Sequence, residues 1–478
     1  MAEVRRLSSL DAQFFAAERS GAESHYCGLA IYATPGGERP ITAATVIQRV
    51  RERIDKCPPL QWKVVTVPFG LDHPVFVDVD VDPADHVSEV VLPPEADDAA
   101  LRQAVTEDLK SPLDRDRPLW RIRVFHGLAD RTAVAITLHH GVVDGLSAKE
   151  IFGILLDAED GAQTRRPSVA SARPRGISRL MLAARAVVDA PARTVRSIGN
   201  VAGALGHLDQ SPVLRSIPGV QELARIARRD LQAAGLHAPR TRFNARLSGT
   251  RSNGFGSVSL DEVKMVKRHL GVTVNDVVLA ACAGAVRRRL LAAGELPDEP
   301  LVAYVPVSVR LPENRFGYGN AITSIVAPLP THLADPRERV AYVHDVMKRA
   351  KDRSQEAPPS LLSDVNDAIP TMMFGLAARG VMDLISSPLV RPPVNLIVSN
   401  VPGPPVALKL LGAPLLAHYP LSLIFDGLAL NITVVSYQNN MDIGIVGDAQ
   451  AVADVPELVD ELRAEFAELT RLVADRRN

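Results

Sequence analysis

The chain has 478 residues, 46% of them hydrophobic and 23% charged, and a formal net charge of −1. That balance describes a globular protein of two large or about three smaller domains, and it excludes a disordered, collagen-like or coiled-coil chain. Near-neutral charge gives no sign of a dedicated nucleic-acid binder, and no apolar run reaches the ~18 residues of a membrane span.

The N-terminus, MAEVRRLSSLDAQFFAAERS, has three arginines but neither the apolar core nor the small-residue cleavage site of a secretory signal. The cysteines, Cys27, Cys57 and Cys282, are odd in number and far apart, which fits neither a zinc site nor a disulfide framework. A cytoplasmic location is expected.

Residues 26–33 read as a strand. Residues 42–55 have helical spacing with Thr42 as N-cap and Pro58 beyond the end. Strands are predicted at 64–67 and 75–81, and a helix at 99–109. Residues 119–125 alternate Trp120, Ile122 and Val124 against Arg121 and Arg123, the pattern of a half-buried strand. A strand at 133–138 follows. Ser147 and Glu150 then form a capping box for a helix through Leu156.

The middle of the chain changes character. Residues 165–246 hold 15 arginines, no lysine and four acids, so this stretch carries +11 against −12 for the remainder. It opens on RRPSVASARPRG, a linker composition, and continues in apolar segments spaced by arginines. Two readings stand: a solvated helical crossover paired with the acidic remainder, or a basic amphipathic segment on an anionic membrane surface.

Mixed α and β then resumes. Helices are predicted at 261–269, 275–291, 337–351 and 456–472, and strands at 301–307, 321–328, 395–399, 429–436 and 441–446. The organisation inferred is an N-terminal α/β domain (1–164), a basic crossover (165–250) and a C-terminal α/β domain (251–478).

The chain contains no G-x-S-x-G, P-loop, H-E-x-x-H or G-x-G-x-x-G. Its strongest local feature is His139-His140-Gly141-Val142-Val143-Asp144-Gly145, between a strand and a capping box. Neighbours on a strand point to opposite faces, so one imidazole faces a cavity while the other packs inside. An imidazole with pKa near 6.5 suits a general base at neutral pH. Asp144 and Gly145 fit a sharp turn, and no third ligand for a metal lies nearby.

H-H-x-x-x-D-G after a strand resembles the signature of chloramphenicol acetyltransferases, peptide-synthetase condensation domains and related thioester-dependent acyltransferases. Taken with LSSLDAQFF (7–15), PLDRDRPLW (112–120), the Asn275-Asp276 pair, PVSVR (306–310), SNVPGP (399–404) and LNITVVSY (430–437), the pattern is similar to the bacterial wax ester synthase/acyl-CoA:diacylglycerol acyltransferase family. The resemblance runs through nearly the whole chain in order.

The resemblance implies two chloramphenicol-acetyltransferase-like domains forming a pseudo-dimer with a substrate channel between them. It implies transfer of an acyl group from acyl-CoA to 1,2-diacylglycerol or a fatty alcohol, with no acyl-enzyme, cofactor or metal. His140 is then the base and His139 a support for the turn. Asp144 and Gly145 shape the loop, with Arg310 as the expected partner of Asp144. Asn275 is either an oxyanion donor or a helix N-cap, and Asp276 is structural. Trp120 is read as structure rather than channel wall. A C16 chain buried at ~0.8 kcal/mol per CH₂ needs few polar contacts, so chain length is not legible.

Expected partners are acyl-CoA, diacylglycerol or a long-chain alcohol, and an anionic membrane or lipid-droplet surface. A monomer or weak homodimer is expected. Two alternatives stay open: a relative taking its acyl group from a carrier protein, and a weakly active lipid-binding paralogue.

Overall fold

The computed structural model describes residues 5–18, 23–35, 40–68, 72–143, 151–158, 238–308, 322–356, 383, 386–388, 391–404 and 406–474. The N-terminal half runs β1 (Arg5–Arg6), α1 (Ser9–Ala17), β2 (His25–Ala33), α2 (Ala43–Arg53), β3 (Trp62–Val65), β4 (Val75–Asp78), β5 (Val87–Ala96), α3 (Asp98–Lys110), β6 (Trp120–Leu128), β7 (Arg131–His139) and β8 (Asp157–Ala158). The C-terminal half runs β9 (Arg251–Ser259), α4 (Leu260–Leu270), α5 (Val274–Ala292), β10 (Leu301–Ser308), β11 (Ile322–Leu329), α6 (Pro336–Glu356), β12 (Leu396–Val401), β13 (Leu408–Leu410), β14 (Ala413–Leu421), β15 (Leu430–Tyr437), β16 (Asn440–Asp448) and α7 (Val455–Ala474).

Local chemistry explains the helix starts. Thr42 and Thr45 form a reciprocal capping box at the start of α2, whose Val46 and Val50 turn inward. Asp97 caps α3 through the Ala100 N–H. Leu101, Val105 and Leu109, four apart, make the stripe that α3 buries. Thr273 caps α5 by a capping box with Asp276, so the N-cap is Thr273 and not Asn275.

Strands β5-β6-β7-β2-β14-β13-β8 form a seven-stranded sheet, and β11-β10-β12-β15-β16-β9 a six-stranded one. The halves are therefore not consecutive in sequence. β13 and β14, turned by Leu411 and Gly412 at positive φ, belong to the first sheet, where His418 lies opposite Ala30 and Leu421 opposite Cys27. Cys27, Leu29 and Ile31 of β2 join α3, Phe255, Ala417 and Val446 in one apolar cluster that crosses between the halves.

β6 departs from the half-buried expectation. Arg121 is only 8% exposed because Asp108 accepts its guanidinium at 3.1 Å and also binds Arg123 at 2.8 Å. The charges sit on a covered face as ion pairs.

Residues 238–250 already belong to the C-terminal half. Ala238 N–H donates to Pro392 O at 3.0 Å, and buried Asn244 donates to Val394 O and Gly427 O. Residues 165–237 of the basic crossover lie outside the described residues, as does the Ser147 capping box. No single helix among the described residues is long and apolar enough to cross a membrane. The apolar composition of α5 is that of a central core helix, buried from Asp276 to Val286.

Candidate active site

β7 pairs with β2 along its whole length and places His139 opposite His25 at the sheet end. The chain leaves β7 in a tight turn in which Val142 N–H donates to His139 O at 2.9 Å. Three further bonds hold it. His139 N–H donates to Leu119 O, His140 N–H donates to Ser24 O at 2.8 Å, and Gly141 N–H donates to His139 Nδ1 at 2.9 Å. Leu119 is the middle residue of Pro118-Leu119-Trp120, so that motif borders the histidine turn directly.

The two histidines have different surroundings. His139 is 2% exposed and stacks on Phe15 of α1 at 4.0 Å between ring centroids. Its Nε2 faces Glu18 Oε1 at 3.1 Å. Burial alone would raise the Glu18 carboxyl. The hydrogen bonds from His139 and the Ser24 N–H, with the Arg115 guanidinium, outweigh that and hold it well below the usual carboxylate range. His140 is half-buried, its ring 4.5 Å from that of Phe14. Phe14 in turn lies 6.4 Å from Phe425 of the C-terminal half. His139 is thus turned into the N-terminal half, and His140 lies where the two halves meet.

Gly141 is required by the close approach of α1. A Cβ there would fall 2.4 Å from the Phe15 ring and 3.0 Å from Asp11 O. Sequence reasoning singled out neither Gly141 nor its neighbours Glu18, Ser24, Phe14 and Phe15. The last two lie in the LSSLDAQFF run. Glu18 is 121 residues from His139, and no spacing pattern connects them.

His25 is buried, and that burial, with the nearby charge of Arg251, holds its pKa well below the ordinary value. Arg251 of β9 is 5% exposed and donates to Glu23 O at 2.6 Å, which ties the C-terminal half to the residue beside Ser24.

Trp120 is core: 2% exposed, stacked on His86 at 4.0 Å, its Nε1–H donating to Leu60 O at 2.8 Å. Asn275 is half-buried in the first turn of α5. Asp276 beside it is turned to Thr273 and, at 2.8 Å, to His344 Nδ1. The hydrogen bonds of this turn stay within the C-terminal half and none reaches His139 or His140 among the described residues. Asp144, Gly145 and Arg310 lie outside the described residues.

The thiols offer no nucleophile. All three cysteines are buried, and burial pushes Cys27 and Cys282 up to about 12. A half-buried imidazole at the junction of the two α/β halves is a group that can take a proton from a substrate hydroxyl.

The family model for the wax ester synthase/diacylglycerol acyltransferase catalytic domain matches residues 7–278, and that for the WS/DGAT C-terminal domain matches residues 318–470. The chain belongs to this family. It is an acyltransferase. A protein of Mycobacterium tuberculosis (strain ATCC 25618 / H37Rv) named "Probable diacyglycerol O-acyltransferase" is 33% identical over 470 residues, covering 97% of this chain and 98% of the relative. The solved structure of the wax ester synthase/diacylglycerol acyltransferase from Marinobacter aquaeolei VT8 superposes with a TM-score of 0.69 at 26% identity, covering 98% of this chain and 100% of that one. The first condensation domain of the calcium-dependent antibiotic synthetase shares the fold, with a TM-score of 0.56 at 17% identity over 98% of this chain and 97% of that one. The family expected from HHxxxDG together with PLW and the Asn275-Asp276 pair, and the chloramphenicol-acetyltransferase-like fold, are both borne out.

Proposed function

We propose that this acyltransferase moves a long-chain acyl group from acyl-CoA to the free hydroxyl of 1,2-diacylglycerol, giving triacylglycerol, with a long-chain alcohol as a second acceptor that would give a wax ester. The observation that carries the reading is the position of His140, on a turn braced by Ser24 and Gly141 and facing the C-terminal half through Phe14 and Phe425.

The imidazole of His140 takes the hydroxyl proton as the oxygen attacks the thioester carbonyl. The tetrahedral intermediate collapses, the C–S bond breaks, and the departing CoA sulfur takes that proton back from the imidazolium. Asn275 is proposed to donate its amide to the oxyanion, and Asp144 to hold the loop with Arg310. The reaction needs no cofactor or metal, so a chelator should leave turnover unchanged. The proposed setting is cytoplasmic, at a membrane or lipid-droplet face, with the enzyme a monomer or weak dimer.

The test is thin-layer chromatography of products from labelled palmitoyl-CoA with diacylglycerol and hexadecanol in parallel, His140→Ala and Asn275→Ala beside the wild type. A His140-dependent triacylglycerol or wax ester spot is expected. Losing an oxyanion donor at Asn275 should cost ~10²–10³-fold in kcat. No ester with either acceptor from folded protein would move the reading to a carrier-protein donor or a lipid-binding role.

A further inference from the structure

One charged side chain beside the histidine turn has no part in the reaction just described. Glu18 is the C-cap residue of α1, and its side chain is 13% exposed. Oε1 accepts from Ser24 N–H at 2.9 Å and lies 3.1 Å from His139 Nε2, while Oε2 pairs with Arg115. The Arg115 guanidinium also lies over the Phe15 ring, 5.5 Å from its centroid, and His139 stacks on that same ring.

The two nitrogens of His139 must do different things. Nδ1 receives the Gly141 N–H, and an accepting nitrogen carries no proton. The ring proton is then on Nε2, aimed at the carboxylate. With the proton on Nδ1 instead, two donors would face each other across 2.9 Å, and the bond that closes the turn would be lost.

We propose that Glu18 is a positioning residue. By accepting the Nε2 proton it fixes the tautomer of His139, which frees Nδ1 to close the turn through Gly141 and so sets where the His140 ring points. Glu18 also holds the Ser24 N–H, while Ser24 O receives the His140 N–H, so two routes run from this one carboxylate to His140. Its strongly lowered pKa agrees with a carboxylate ionised throughout the working pH range. The inference rests on the reading of His140 as base.

The experiment compares Glu18→Ala and Glu18→Gln with wild type and with His140→Ala. It reads kcat and KM for palmitoyl-CoA, and the ¹⁵N imidazole spectrum of histidine-labelled protein. Glu18→Ala should lose kcat about 10²-fold with KM unchanged, the cost of misplacing a catalytic group by about 1 Å. His139 should then no longer show the Nε2–H tautomer alone. Glu18→Gln keeps an acceptor oxygen for His139 and Ser24, so it should keep that tautomer and stay within about tenfold of wild-type kcat.

Folded Glu18→Ala with wild-type kcat would overturn the inference. So would equal losses in both variants with the Nε2–H tautomer intact in each. Should Glu18→Ala not fold, the wild-type and Glu18→Gln spectra decide, and a proton on Nδ1 in either overturns it. Wild-type turnover by His140→Ala would remove the base reading alone, and the tautomer spectra would still test Glu18.

Discussion

Replacing Gly141 by alanine probes the bracing of the histidine turn with a single methyl group. Its φ is not positive, so the backbone itself tolerates alanine and the penalty is purely steric. The added Cβ would lie 2.4 Å from the edge of the Phe15 ring and 3.0 Å from Asp11 O. Carbon atoms in contact sit at about 3.5 Å, so the ring or the turn must give by about 1 Å. The ring is held between the His139 stack and the Arg115 guanidinium, and Asp11 O is backbone within α1. Overpacking of this kind costs about 1–3 kcal/mol. Displacing His140 by about 1 Å should cost about 10²-fold in kcat. Thermal denaturation and steady-state turnover with palmitoyl-CoA measure the two effects, and Gly141→Ala with Phe15→Leu should recover part of both by making room for the methyl. Wild-type turnover and melting temperature in the single variant would refute the steric reasoning.

Asp442 supplies a pH-dependent prediction. It is fully buried and accepts from Ser257 Oγ and from His418 N–H, both at 2.7 Å. Burial nevertheless pushes its pKa from 3.8 to about 6, the two hydrogen bonds opposing that only in part. A carboxyl whose folded pKa is raised stabilises the fold below its unfolded pKa and loses that contribution as pH rises through the folded value. Asp442→Asn should therefore melt higher than wild type at pH 8, by at most about 3 kcal/mol, with the difference gone near pH 4; a gap independent of pH would contradict this. Trp120→Phe leaves the buried Leu60 carbonyl without its donor and should lower stability by about 1–3 kcal/mol in urea unfolding. An unchanged midpoint would count against that bond. Arg339→Leu removes a 3% exposed cation from Glu465, which is 2% exposed and 2.5 Å away, and breaking such a pair costs about 3–5 kcal/mol. The remaining Arg288 contact to Glu465 at 2.6 Å sets the low end as the expected value, and denaturant titration of the two chains reads it.

Where local preference and burial agree, the elements were legible. The Thr42 cap, the α3 stripe and the apolar strands β2, β7, β10 and β15 all lie within a few residues of their predicted bounds. The unforeseen strands have the opposite character. β9 reads Arg-Ser-Asn-Gly-Phe-Gly-Ser-Val-Ser, and β14 contains Pro414 and Pro420. Neither has strand propensity, and both exist because a partner strand waits for them: β16 for β9, β2 for β14. β5 carries exposed Pro93 and Pro94 flanked by exposed Glu89 and Glu95, the marks of an edge strand, and among the described residues it pairs with β6 alone.

The sequence alone determined the reaction class. HHxxxDG after a strand, with PLW and the Asn275-Asp276 pair in order, is a pattern of short local runs, and runs of that kind sufficed to name the family. Tertiary structure alone decided which histidine is buried and what holds it. Glu18 and Ser24 reach the turn from the N-terminal end of the chain, and Arg251 of β9 binds Glu23 beside Ser24 from the C-terminal half. The transfer of β13 and β14 into the N-terminal sheet was likewise invisible, since a strand's partner depends on which edge the folded chain leaves open and not on the residues of the strand itself.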